Sequence, residues 1–113
     1  GAAYVKLHQP ASGFAIVGTA ARLMLDPKGN CETARIGVTG VGAKAYRAEA
    51  VEKALAGKRL TAALLAKASA MAAEGVEPLS DLHASAAYRL AMAEVITKRA
   101  LEKALDRARG GRR

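Results

Sequence analysis

The alternation of apolar and polar positions is clearest over residues 14–25, FAIVGTAARLML, where Phe14, Ile16 and the small Gly18 alternate with Ala15 and Val17 and Arg22 is flanked by apolar residues. The length and β-branched content of this run predict a strand. DPKGN follows over residues 26–30; proline second presets φ and glycine fourth accepts positive φ cheaply, which suits a tight turn. CETARIGV over residues 31–38 then reads as the returning strand of a β-hairpin. A short third strand is expected around residues 45–47. Beyond it the period changes. Ala48, Val51 and Leu55 fall at i, i+3 and i+7 and predict a helix over residues 48–56, closed by Gly57. Leu64, Ala68 and Ala72 share one face of a second helix over residues 61–74, stopped by Gly75 and Pro78. A third helix is expected over residues 82–108. Its apolar residues spread widely around the wheel, with Tyr88, Met92 and Val95 on one side and Leu90, Leu101 and Leu105 elsewhere, which predicts contacts on two sides.

Strands first and helices afterwards predict an α+β fold: a small antiparallel sheet, the hairpin plus a third strand, followed by three helices packed on one face. Residues 1–13 show no sustained period and read as a lead-in, residues 14–108 as the domain, and residues 109–113 as a basic tail. The 113 residues suffice for one core. With 51% apolar residues, many of them alanine, one phenylalanine and no tryptophan, that core is expected to be thin.

The formal net charge of +8 is compatible with nucleic acid, anionic lipid or an acidic protein partner. The scattered aromatics, Tyr4, Phe14, Tyr46 and Tyr88, do not interleave with basic residues as a base-stacking surface requires. A stand-alone nucleic-acid-binding module is therefore the second reading. The single cysteine, Cys31, cannot form an internal disulfide and fits a reducing compartment, so a cytoplasmic location is expected. No apolar run approaches the roughly 20 residues of a membrane helix. His8, His83 and Cys31 have no zinc-like spacing, so no metal ligands are assigned.

SDLHASAAYR, residues 80–89, gathers serine, aspartate, histidine, tyrosine and arginine. A nucleophilic relay draws such groups from distant parts of a chain, and on a helix His83 leaves the face shared by Asp81 and Ser85. Capping is the better explanation: Ser80 or Asp81 accepts a backbone N–H, worth about 0.5–2 kcal/mol, and a carboxylate complements the positive helix end. Tyr88 is expected to pack inward, and Arg89 to reach a carboxylate or a backbone carbonyl near the helix entrance. GVTGVG, residues 37–42, lacks both the phosphate-loop ending and the dinucleotide spacing, and reads as a sheet-to-helix connection that needs positive φ. The C-terminal arginines, Arg107, Arg109, Arg112 and Arg113, complement the negative helix end and could hold polyanions. No catalytic residue is assigned.

Three motifs carry a resemblance. They are Tyr-X-Lys at Tyr4 and Lys6; Arg-X-X-X-Val-Glu-X-X-Leu-X-Gly from Arg47 to Gly57; and Asp-X-X-X-Ser-X-X-Tyr-Arg at Asp81, Ser85, Tyr88 and Arg89. With their surroundings, over residues 4–108, they resemble the C-terminal domain of the FAD-binding medium subunit of carbon monoxide dehydrogenase, a domain shared by the xanthine dehydrogenase family of molybdenum hydroxylases. The resemblance implies a small antiparallel sheet with three helices. It implies a larger FAD-binding domain preceding this one, a molybdopterin-bearing large subunit, and a small subunit with two 2Fe–2S clusters. Electrons would pass from molybdenum through the clusters to FAD, and this domain alone would not turn over substrate. It also implies that Lys6 lies near the flavin ring. LHQPASG after that lysine departs from the acidic and arginine pattern of xanthine dehydrogenases and favours the carbon monoxide dehydrogenase-like branch.

Overall fold

The hairpin turn is organised by its own polar side chain. In the computed structural model, which describes residues 1–8, 15–78 and 85–110, the Asp26 carboxylate accepts the N–H groups of Lys28 and Asn30, each at 2.9 Å. Gly29 takes φ of +87°. The turn joins β2 (Ala15–Leu25) to β3 (Cys31–Thr39) in antiparallel register, Ala21 opposite Ile36 and Arg22 opposite Arg35. Ala2–His8, within the stretch expected to be an irregular lead-in, is a strand, β1, with Ala3 opposite Ala21 and Leu7 opposite Val17. Its apolar positions, Ala3, Val5 and Leu7, are too few to declare a period alone; pairing with β2 supplies the order. The third strand of the expected hairpin sheet is β4 (Tyr46–Arg47), beside β3, and completes the order β1-β2-β3-β4.

Alternation sends Val17, Thr19, Ala21 and Leu23 of β2, with Ala34, Ile36 and Val38 of β3, to one face, where all are buried. Three helices cover that face. α3 (Ala86–Ala108) lies along β1 and β2, α1 (Glu49–Leu55) packs on β3, and α2 (Ala62–Ser69) contacts both other helices. The stripe Ala93, Ile96, Ala100, Leu101, Ala104 and Leu105 is the buried side of α3. Alanines at 93, 100 and 104 let the helix approach the sheet closely, and the larger Leu23, Leu55, Leu60, Leu65 and Leu101 fill the remaining volume. Each such leucine stabilises the fold by about 1.5–3 kcal/mol. A polar pair crosses this layer: the Thr19 and Thr97 hydroxyls, both fully buried, lie 3.0 Å apart.

All three helices are shorter than expected, α1 by one residue at each end. α2 begins after Thr61, whose hydroxyl accepts the Leu64 N–H at 3.1 Å. It ends at Ser69 rather than continuing to residue 74. The backbone tightens into turns, with Met71 N–H bonded to Ala68 and Ala72 N–H to Ser69. The Tyr46 hydroxyl donates to the Ala72 carbonyl at 2.7 Å, taking an acceptor that a further helical turn would use. Burial pushes the Tyr46 hydroxyl pKa up to about 12. α3 begins at Ala86, capped by Ser85, whose hydroxyl accepts the Tyr88 N–H at 3.1 Å. Ser80, Asp81, His83 and Phe14 lie outside the described residues.

The best-defined polar junction is centred on Glu52. This α1 carboxylate is buried, accepts the Ile36 N–H of β3 at 2.8 Å, and pairs with the Arg47 guanidinium of β4 at 2.6 Å. Burial alone would raise its pKa. The Arg47 bonds, the Ile36 N–H and the charges of Arg47 and Arg35 oppose that and hold the carboxyl below its ordinary 4.5. A folded-state pKa below the unfolded one gives stability that is full above 4.5 and is lost as pH falls through the folded value. Glu52→Gln is expected to destabilise the chain by about 1–3 kcal/mol at neutral pH, the scale of a hydrogen bond to a charged group. Urea unfolding between pH 7 and pH 3 should show that gap closing in acid; a gap that stays constant would exclude the ionised carboxylate as its source.

Candidate functional site

The face of the sheet turned away from the helices carries the exposed chemistry. Alternation places Tyr4 and Lys6 of β1, Gly18, Ala20, Arg22 and Met24 of β2, Arg35 and Gly37 of β3, and Arg47 of β4 there. Tyr4 is 53% exposed and Met24 46%. Gly18 leaves room for the Tyr4 ring, since a Cβ at residue 18 would stand 3.1 Å from Tyr4 Cζ. Lys6 Nζ stands 5.6 Å from the centre of the same ring, within reach of a cation–π attraction of about 0.5–1 kcal/mol at an exposed site. Lys6 is thus a solvent-facing cation steadied by an aromatic plate. Next to it, Ala2, Tyr4, Ala20, Arg22, Arg35 and Arg47 line much of a shallow depression of about 570 Å³. Arg107 reaches this rim from α3 and donates to the Ala2 carbonyl at 2.7 Å.

A second cluster joins the third motif to the glycine-rich connection. Gly40 takes φ of +87°, and a Cβ there would collide with the Ile16 carbonyl, so this position requires glycine. The buried Arg89 of α3 donates from Nη1 to the carbonyls of Gly40 at 2.6 Å and Ile16 at 3.2 Å. Arg89 thus reaches backbone carbonyls of the sheet, one of the two alternatives left open by the sequence. Gly42 is packed against Val76, whose Cγ1 would stand 2.9 Å from a Cβ. Residues 37–39 thus end strand β3 and residues 40–42 are a packed connection, so the segment does not present a set of bare N–H groups to a phosphate.

Of the remaining residues singled out in sequence, Ser85 is the cap of α3, and Asp81, the expected cap, lies outside the described residues. Tyr88 does not pack inward; it is 43% exposed, because the helix turns Arg89 and Ala93 to the sheet and leaves residue 88 outside. The tail is partly engaged: Arg109 donates to the Leu60 carbonyl at 3.1 Å, while Arg112 and Arg113 lie outside the described residues. Cys31 is a buried free thiol whose pKa is raised by burial, the opposite of a reactive thiolate. Among the described residues no group of three or more His, Cys, Asp or Glu side chains could hold a metal ion, and no helix is long and apolar enough to cross a membrane. Sequence reasoning missed the open face, because recognising it requires β1. The signal was present in the alternation of Tyr4 and Lys6 with Ala3, Val5 and Leu7.

The model of the CO dehydrogenase flavoprotein C-terminal domain matches residues 2–104. The chain belongs to this family. It is 37% identical over 109 residues to the 6-hydroxypseudooxynicotine dehydrogenase complex subunit alpha of Paenarthrobacter nicotinovorans, covering 96% of this chain and 37% of that protein. It is 38% identical over 109 residues to the carbon monoxide dehydrogenase medium chain of Afipia carboxidovorans, covering 96% of this chain and 38% of that one. Quinoline 2-oxidoreductase of Pseudomonas putida 86 superposes with a TM-score of 0.87 at 34% identity, over 95% of this chain and 37% of its own. The chain thus spans well under half the length of the relatives it matches. These relatives give the nucleic-acid reading no support.

Gly40 and Arg89 serve one junction, which makes their substitutions interdependent. Arg89→Met is expected to cost about 2–4 kcal/mol, since the buried Ile16 carbonyl and the part-buried Gly40 carbonyl lose a charged donor, and Gly40→Ala about 1–3 kcal/mol from its left-handed backbone, with the Ile16 collision added. In a double-mutant cycle measured by urea unfolding, the double variant should lose less than the sum of the two; strict additivity would show that the residues do not share a junction.

Proposed function

We propose that this chain is the C-terminal accessory and docking domain of the FAD-containing medium subunit of a carbon monoxide dehydrogenase-like molybdenum hydroxylase, and that it supports electron transfer from iron–sulfur clusters to FAD. The observation that carries this reading is the family match over residues 2–104, joined to relatives in which the matched part is less than two fifths of the protein. The partners of this reading are the FAD-binding domain of the same polypeptide, a molybdopterin-bearing large subunit and a small subunit with two 2Fe–2S clusters. The assembly is assigned to the cytoplasm, which suits a lone buried cysteine.

The described residues fit a contribution to a flavin site rather than a whole one. Gly40 and Gly42 are committed to packing and to Arg89, and Gly37 lies within strand β3, so a pyrophosphate cradle is to be sought in the preceding domain. Lys6 fits the remaining role, being an exposed cation on β1 beside Tyr4. FAD, when bound, supplies the redox chemistry. Lys6 contributes a positive charge that favours negative charge on the reduced flavin, while Arg89, Gly40, Arg47 and Glu52 fix the sheet that presents it.

Two measurements test the reading. The separately expressed FAD-binding domain should retain this domain in a pulldown; no association, with both partners folded, would count against docking. In the complete subunit, Lys6→Ala should lower the flavin potential, by roughly 30 mV for a tenfold change in the two-electron equilibrium, and alter the reoxidation rate. An unchanged potential with unchanged kinetics removes Lys6 from the flavin's surroundings.

A further inference from the structure

The helix-free face of the sheet has the composition of a docking surface for a particular kind of partner. Its floor is small, with Gly18, Ala20 and Gly37 in the middle of the sheet, and two exposed apolar side chains, Tyr4 and Met24, stand on it. The charged side chains that line the depression are basic, Arg22, Arg35 and Arg47 with Arg107 at the rim, and Lys6 stands beside them. Glu32 is exposed near the start of β3, where the register with β2 shifts, and it does not line the depression. Of the carboxylates near these cations, Glu52 is already engaged by Arg47 and the Ile36 N–H, and Glu49 of α1 adds a weaker attraction to Arg47. Among the described residues no helix lies on this face. An apolar centre ringed by one sign of charge marks an interaction surface.

The position of the N-terminus selects the occupant. The Gly1 amino group donates to the Leu23 carbonyl at 2.7 Å, and the Leu23 N–H donates back to the Gly1 carbonyl at 2.8 Å. Ala2, Ala3 and Tyr4 then line the depression. In a full-length flavoprotein, polypeptide preceding Gly1 would arrive at this rim. The matched relatives carry more than 60% of their length outside this domain, and the family's domain is C-terminal. We infer that the open sheet face is the seam between this domain and the polypeptide that precedes it, and that the mating surface presents carboxylates to Arg22 and Arg35 around an apolar side chain lodged beside Tyr4.

This inference rests on the docking reading above and adds the face and the chemistry. The test uses the full-length flavoprotein with p-benzoylphenylalanine in place of Tyr4, irradiated and mapped by mass spectrometry. The expected cross-link joins residue 4 to an Asp- or Glu-bearing segment that precedes Gly1. The double variant Arg22→Glu, Arg35→Glu should reduce its yield at least tenfold, and Arg22→Gln, Arg35→Gln should reduce it less; circular dichroism of each variant reports whether the domain is folded. A cross-link to a second copy, to another subunit or to residues 1–113, or no cross-link, overturns the inference. So does a cross-link indifferent to both charge variants in folded protein. A positive pulldown beside any of these outcomes would leave the docking reading intact and move it to another face, whereas a failed pulldown removes docking itself.

Discussion

A strand that buries only one side must keep its register, and β2 sets the register here. Val17, Thr19, Ala21 and Leu23 face the helices, while Gly18, Ala20, Arg22 and Met24 face away. A slip of one residue would drive Arg22 into α3 and expose Leu23, so slipped pairings are strongly disfavoured. The same alternation that builds the core therefore also builds the open face. Arg22 and Arg35 stand opposite each other across β2 and β3, an arrangement of like charges that costs free energy unless solvent or a partner screens it. The core and the candidate surface are thus two consequences of one pairing.

Two polar junctions hold what the thin core leaves loosely specified. β4 has only two residues, too short to stay ordered by ladder bonds alone. Glu52 compensates by reaching from α1 to a β3 N–H that would otherwise be unpaired and by gripping Arg47 of β4. Next along the same motif, Val51 and Leu55 are fully buried. Gly57, at φ of +76°, donates its N–H to the Cys31 carbonyl at 2.7 Å and returns the chain to the start of β3. Arg89 performs the corresponding task at the other end of the sheet, through Gly40 and Ile16. Buried ions in these positions fix geometry more than they add stability, because their desolvation offsets much of the attraction.

The sequence made the hairpin, the three helices and the α+β class legible because each has a local cause: the turn residues at 26–30, apolar residues at helical spacing, and glycines beyond helix ends. β1 was not legible, since its order comes from β2, and the C-terminal limit of α2 was not, since it depends on a tyrosine 26 residues away in sequence. The chemistry of Tyr88 alone predicts an inward ring, whereas the neighbouring Arg89 decides the rotation of the helix by reaching the carbonyls of Ile16 and Gly40. The Tyr4–Lys6 pair was visible as letters, but its meaning as a surface required the third dimension.

The motifs that identify the family divide by physical role, and the division bears on where function resides. Arg47, Glu52, Gly57 and Arg89 are occupied by bonds or backbone geometry within the domain. They account for the fold, and by themselves predict no chemistry. Tyr4 and Lys6 have no such internal duty: substituting either would leave the core untouched, because both project from the uncovered face beside the depression. Most of the motif residues are thus spent on internal bonds or backbone geometry, and Tyr4 and Lys6 stand uncommitted on a cationic face. On the reading proposed above, its contribution to a flavoprotein would be positional and electrostatic, the holding of one positive charge and one aromatic ring on a sheet that the bonded motif residues fix.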